Sequence, residues 1–309
     1  LHDALPILVE MLNISNILAF VGGGDYPKFS PNKIIIWDDH QGKIVSQLRF
    51  NSDVIKVKIR KDSIIGVLYD KIYIFNISTL ETIDVLETYP NPNGIFSISN
   101  MDNELLIAYP SKQMKGRVQI ENYSITIHGV EKSESKIINA HESQIAYISL
   151  NNQGTVIATA SDRGTIIRLF LISKSDQPIA ALRRGKKNVK VNWLVFSPDN
   201  ETFGCTSDSG TIHVFNISEI NKLINDKKIE EDKKDLKNNK KEKNIKINIK
   251  EKSFGQFRVP EIHSIIGFYQ TQRIITVTSG GKYYKISYDT KEGCAKKEEG
   301  TLEISNVNI

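Results

Sequence analysis

Ser161-Asp162-Arg163-Gly164-Thr165-Ile166-Ile167-Arg168-Leu169-Phe170 returns later in the chain as Ser207-Asp208-Ser209-Gly210-Thr211-Ile212-His213-Val214-Phe215. Each copy is a polar turn feeding a strand. Asp, Ser and Gly supply the turn chemistry, and β-branched or aromatic residues then alternate as a half-buried strand requires. Comparable strands recur at residues 33–38, 71–76, 116–121 and 282–287. Trp37 to Phe75 spans 38 positions, Phe75 to Ile120 spans 45, Ile120 to Phe170 spans 50, and Phe170 to Phe215 spans 45. A period of roughly 40–45 residues is that of a four-stranded propeller blade. Helical periodicity is weak throughout this series. The 309 residues are read as one all-β domain, a seven-bladed-type β-propeller with about six blades present.

The last interval, Phe215 to Ile286, is 71 positions, and the excess is a charged insertion over residues 219–252. It holds 12 Lys against 8 acidic residues, a net of +4 within a whole-chain +5. From Lys233 onward the balance is 9 Lys to 3 acidic residues. Two readings stay open. Such a run can be a solvated, disordered loop, or a tether in which each Lys near an anionic bilayer contributes about 1 kcal/mol. Ile220, Leu223 and Ile224, then Ile245, Ile247 and Ile249, are its sparse apolar footholds.

Composition removes several function classes. Hydrophobic content of 39% and charged content of 25% are ordinary for a globular protein. Six His and two Cys, Cys205 and Cys294, lie 89 positions apart in the case of the cysteines and show no metal-ligand spacing, so neither metal nor cofactor is expected. A reduced compartment fits two unpaired cysteines. No apolar run approaches the 18 residues needed to span a bilayer. No Gly-rich phosphate loop or nucleophile–base pair is evident, which argues against an enzyme. The positive charge is confined mainly to the insertion, and the aromatics follow core spacing, which argues against nucleic acid. The chain begins without Met, and residues 1–7 read as non-native or disordered. A propeller must close its ring to hide its sheet faces, so a missing first blade is the expectation.

Between the two copies lies Leu182-Arg183-Arg184-Gly185. Neighbouring side chains on a strand point to opposite faces. Arg183 and Arg184 are therefore expected to serve separate pockets, each guanidinium fork matching two phosphate oxygens. Blade-edge salt bridges are the competing reading.

These residues resemble a known family. Residues 158–168, Leu182-Arg183-Arg184-Gly185 and Phe196-Ser197-Pro198-Asp199, in this register, are similar to the PROPPINs, the WIPI proteins of animals. Further matches are residues 9–12 with 19–24, residues 71–75, Pro90-Asn91-Pro92-Asn93-Gly94, Ala140-His141, residues 253–260 and residues 281–285, so the resemblance covers about residues 8–290. Leu182 replaces the family's usual Phe at the head of the motif.

The resemblance implies a non-enzymatic scaffold that binds phosphatidylinositol 3-phosphate and phosphatidylinositol 3,5-bisphosphate at two rim sites sharing the Arg-Arg motif. It implies recruitment from the cytoplasm to autophagosomal-precursor or endolysosomal membranes, with a protein partner from the autophagy machinery. His141, Ser161, Arg163 and Thr165, with Ser143 as a weaker addition, are then assigned to the site of Arg183. Thr206, Ser207, Ser209, Thr211 and His213 are assigned to that of Arg184. Hydroxyls and imidazole donate several hydrogen bonds within a small radius, although ordinary turn chemistry also explains them. Leu182 packs, and Gly185 is read as easing a turn. Lys233, Lys234, Lys237, Lys240, Lys241 and Lys243 form the implied membrane loop. Replacing both arginines by Thr is expected to abolish membrane binding with little change in melting. A generic WD-repeat scaffold without lipid binding is the alternative.

Overall fold

Alternating burial along short strands sets the architecture of the chain. In this computed structural model, residues 6–24, 26–126, 128–174, 177–220, 222, 249–260, 263–270, 272–289 and 295–301 are described. Sheet 1 contains β1 (Pro6–Met11), β2 (Ile17–Gly22), β3 (Lys33–Asp38) and β4 (Lys43–Arg49), and sheet 2 contains β5 (Lys56–Ile59), β6 (Ser63–Val67), β7 (Lys71–Asn76) and β8 (Thr82–Glu87). Sheet 3 is β9 (Ser97–Ile98), β10 (Glu104–Pro110) and the long β11 (Arg117–Thr126), whose two halves pair with β12 (Gly129–Lys132) and β13 (Lys136–Asn139). Sheet 4 is β14 (Ile145–Leu150), β15 (Val156–Ser161), β16 (Ile166–Leu171) and β17 (Ala180–Arg183).

Sheet 5 holds β18 (Val191–Phe196), β19 (Thr202–Ser207) and β20 (Thr211–Asn216). The chain then enters the charged insertion. It emerges as β21 (Ile249–Lys252), which pairs with β17 of sheet 4, before β22 (Gly255–Arg258) completes sheet 5. Sheet 6 is β23 (Ser264–Gln270), β24 (Arg273–Thr278), β25 (Lys282–Tyr288) and β26 (Ala295–Thr301). Within each sheet the successive main strands are antiparallel. Six sheets match the repeat count read from the sequence. Pro6 and Ile7 belong to β1; residues 1–5, the rest of the stretch read as non-native or disordered, lie outside the described residues.

Second strands of the middle sheets are buried on both sides because each is sandwiched between neighbouring sheets. β6, β15 and β19 are buried at every position, whereas the outer strands β4 and β8 are mostly exposed. Five apolar clusters fill the successive junctions from sheet 1 to sheet 6. Among the described residues no such cluster joins sheet 6 back to sheet 1. The inner strands line a central cavity of about 510 Å³, walled in part by Tyr147, Trp193 and Ile265. None of the candidate ligand residues lies there.

One polar clasp joins sheets 2 and 3. Arg60 is 8% exposed and donates to the carbonyls of Ser99 at 2.7 Å, Met101 at 2.9 Å and Glu104 at 3.1 Å. Its remaining donors meet both carboxylate oxygens of Asp62, at 2.9 and 2.8 Å. Burial works to raise the Asp62 pKa, but the bonds from Arg60 and Ser63 outweigh it and hold the carboxyl below its ordinary value. Removing one member of such a buried set leaves the others uncompensated, which costs about 3–5 kcal/mol. Arg60→Met is accordingly expected to lower the unfolding free energy by that amount in chemical denaturation; an unchanged midpoint would show that the clasp contributes nothing.

Candidate functional site

The site is built from the upper ends of sheets 4 and 5, where two turns of the same design meet the chain leaving β17. Gly164 closes the first turn at φ +58, and a Cβ there would lie 2.0 Å from the Val189 carbonyl oxygen. Only glycine permits both the left-handed backbone and that approach. The turn therefore packs directly against the segment that follows the double-arginine motif, and the Val189 amide donates to the Arg163 carbonyl at 3.2 Å. Gly185 is different. Its φ is not positive and a Cβ would meet nothing within 4 Å, so the geometry does not require glycine there.

Strand register separates the two arginines. Ala180 and Leu182 are buried in the cluster shared by sheets 4 and 5, together with Ile167, Leu169 and Cys205. Arg184 continues that face and is 7% exposed. Its Nε donates to the Gly164 carbonyl at 2.6 Å and a terminal nitrogen donates to the Lys187 carbonyl. Arg183 lies on the other face, opposite Ile166 of β16, and is exposed. Neither arginine forms an ion pair among the described residues. Salt bridging at the blade edge is thus not what holds them.

Arg183 shares its face with Arg168 and Thr159, which oppose one another across β15 and β16. His141 Nε2 lies 3.0 Å from the Thr159 hydroxyl, and Arg168 donates to the Ala140 carbonyl at 2.5 Å. Burial first, and the Arg168 charge second, bring the His141 pKa down to about 4. Ser161 is buried at the end of β15, Arg163 is exposed in the turn, and Thr165 accepts the Arg184 and Gly185 amides at its carbonyl. The Ser143 hydroxyl donates to Asp162. Sequence reasoning passed over Arg168 and Thr159. Their signal was parity with Ser161 and Arg183 along β15, β16 and β17.

The second group faces sheet 4 from sheet 5. His213 opposes Cys205 on adjacent strands, and Thr211 precedes it by two on the same face. Burial and the Arg184 charge lower the His213 pKa to about 4, while burial raises the Cys205 thiol to about 12. Ser207 and Ser209 hydroxyls lie 2.9 Å apart across the turn. Thr206 does not join them. It is fully buried and donates to the Ser264 carbonyl of sheet 6 at 2.8 Å, because alternation turns it away from Ser207. The six lysines assigned to the membrane loop lie outside the described residues.

Residues 7–232 match the sequence profile of the PROPPIN family. The chain belongs to that family. PROPPINs are non-enzymatic β-propeller scaffolds of autophagy that bind phosphoinositides. Among curated relatives, autophagy-related protein 18e of Arabidopsis thaliana is 29% identical over 306 residues, covering 94% of this chain and 75% of that protein. SVP1-like protein 2 of Emericella nidulans is 36% identical over 208 residues, covering 67% and 62%. Autophagy-related protein 18 of Debaryomyces hansenii is 32% identical over 263 residues, covering 74% and 46%. The chain thus spans about half to three quarters of these relatives. The fold superimposes on Kluyveromyces lactis Hsv2 with a TM-score of 0.72 at 19% identity, over 95% of this chain and 85% of that one. A complex of KlAtg21 with the coiled-coil of AgAtg16 gives a TM-score of 0.72 at 22% identity, over 96% and 85%.

This PROPPIN holds both site histidines neutral near pH 7. Depressed pKa values mean that the unfolded chain binds more protons between about pH 6.5 and 4, so stability falls as pH drops through that window. Arg184→Gln removes a positive neighbour and is expected to raise the His213 midpoint from about 4 toward the ordinary value. An NMR titration of the imidazoles reads this directly; an unmoved midpoint would remove Arg184 from the second pocket.

Proposed function

We propose that this chain is a peripheral membrane scaffold whose two rim pockets, one per arginine, bind phosphatidylinositol 3-phosphate and phosphatidylinositol 3,5-bisphosphate. The observation that carries the reading is the placement of Arg183, at the end of β17, and Arg184, just after it, on opposite faces of sheet 4: Arg183 shares a face with Thr159, which meets His141, and Arg184 lies near enough to His213 to act on its charge. Arg183 is exposed and ready to clamp phosphate. Arg184, held by two carbonyls, is pre-organised, so its remaining donors meet a ligand with little loss of side-chain freedom. His141, Ser161 and Arg163 support the first pocket; Ser207, Ser209, Thr211 and His213 support the second.

Two pockets on one rigid rim make the second lipid contact intramolecular. Avidity then exceeds either single affinity by about 10²–10⁴ when both engage, and Lys233, Lys234, Lys237, Lys240, Lys241 and Lys243 add attraction to an anionic surface. No helix among the described residues is long and apolar enough to cross a membrane, in keeping with recruitment to the surface of autophagosomal-precursor or endolysosomal membranes. A protein of the autophagy machinery is the proposed partner, in line with the assembly of a structural relative on an Atg16 coiled-coil.

The structure separates the stability effects that the sequence left equal. Arg183→Thr, at an exposed position, is expected to leave the melt unchanged, whereas Arg184→Thr strands two carbonyl acceptors and lowers it measurably, since each lost charged hydrogen bond is worth about 1.5–3 kcal/mol. Flotation with liposomes containing 3-phosphorylated lipid, run at raised salt to suppress bulk attraction, should show binding weakened at least tenfold by either variant and abolished by the pair. Undiminished flotation of the double variant would leave a lipid-independent scaffold as the function.

A further inference from the structure

The insertion does not return to its own sheet directly. β21 first adds to sheet 4 as a fifth strand, parallel to β17, with Ala180 opposite Ile249 and Arg183 opposite Lys252. An outer strand otherwise presents a row of unpaired amides and carbonyls, and here the insertion's own end covers them. Only Ser253 and Phe254 then separate β21 from β22 in sheet 5. The Ser253 hydroxyl lies 3.2 Å from His213 Nδ1 and accepts from the Gln256 side chain at 3.0 Å. The Phe254 amide donates to the Val214 carbonyl at 3.0 Å, and its ring meets Tyr288 at 5.6 Å between centroids. Residues 249–254 thus link the strand that leads into both arginines to the histidine of the second pocket.

We infer that this return strand is a positioning element of the second phosphate pocket, and that it couples the insertion to headgroup binding. This rests on the phosphoinositide reading above. Because β17 and β21 are parallel, both run toward the same end of the sheet, and Ser253 is delivered beside His213 only while β21 is docked. A change that undocks β21 releases the contact on His213 and loosens the pocket between sheets 4 and 5. Coupling of this kind is reciprocal. A ligand bound at Arg184 and His213 stabilises the docked strand, and an insertion drawn onto an anionic surface with β21 docked favours the ligand. The pockets and the lysine-rich segment therefore act as one device, in which the insertion contributes more than charge.

Two kinds of variant test this. Alternate residues of a parallel strand donate to a given neighbour, so either Lys250→Pro or Glu251→Pro removes a donor to β17, and proline disfavours the pairing in both. Conversely, Ala181→Cys with Lys250→Cys, in a Cys294→Ser background, places two thiols at facing positions for a locking disulfide. Dibutanoyl phosphatidylinositol 3-phosphate is the soluble probe, with affinity read by calorimetry and the pocket by the His213 imidazole resonance. The disrupting proline is expected to weaken binding about fivefold or more, to shrink the ligand-induced shift of His213 and to speed amide exchange along β17. The oxidised cysteine pair is expected to bind at least as tightly as the natural chain. If the natural chain binds and both prolines bind equally well, the coupling is wrong while the headgroup reading stands. If exchange along β17 is unchanged by both prolines, β21 does not cover that edge and the inference fails. If the natural chain does not bind the probe or float with lipid, the headgroup reading fails and takes the coupling with it.

Discussion

A β-strand cannot aim two successive side chains at one place, and the functional reading of this protein depends on that constraint. β17 is only four residues long, yet its last position and the residue after it carry two guanidinium groups to opposite sides of sheet 4. One side is the junction with sheet 3, where His141, Thr159 and Arg168 gather. The other is the junction with sheet 5, where Cys205, Ser207 and His213 gather. The propeller makes this useful because sheet 4 has a neighbour on each face. A single strand can then serve two grooves without any side chain crossing the sheet.

Electrostatics in the two grooves follows a shared plan. Each pairs a histidine with an arginine, the half-buried His141 with Arg168 and the buried His213 with Arg184, and in each burial and then the cation keep the imidazole neutral. The resulting pockets are rich in positive charge and donors. Arg184 is itself destabilised by burial, which the charge of Asp208 offsets in part. Its two carbonyl contacts explain how an unpaired cation is tolerated there.

Much of this architecture was legible in the residues. The recurrence of turn and strand gave the all-β propeller and the number of sheets, because blade spacing survives where sequence detail does not. The insertion was legible from its charge, and the double arginine from strand parity and family register. Thr206 was assigned to the second site by blade position, yet adjacent strand residues face opposite ways, and its hydroxyl is taken by Ser264. Arg168 was missed because an arginine inside an alternating strand reads as a surface charge until its neighbour His141, 27 positions earlier in sequence, is brought alongside by the junction between sheets. The docking of β21 on β17 was invisible for a similar reason. Parallel pairing between distant segments leaves no local pattern, and nothing in residues 249–252 specifies which outer strand they will join.

Binding stoichiometry tests the central claim most directly. Calorimetry with a soluble short-chain phosphatidylinositol 3-phosphate should give two equivalents per chain, falling to one in Arg183→Thr and to one in Arg184→Gln, each through loss of a different site. A single equivalent in the natural chain, abolished by either substitution, would mean that both arginines serve one pocket and would contradict the account.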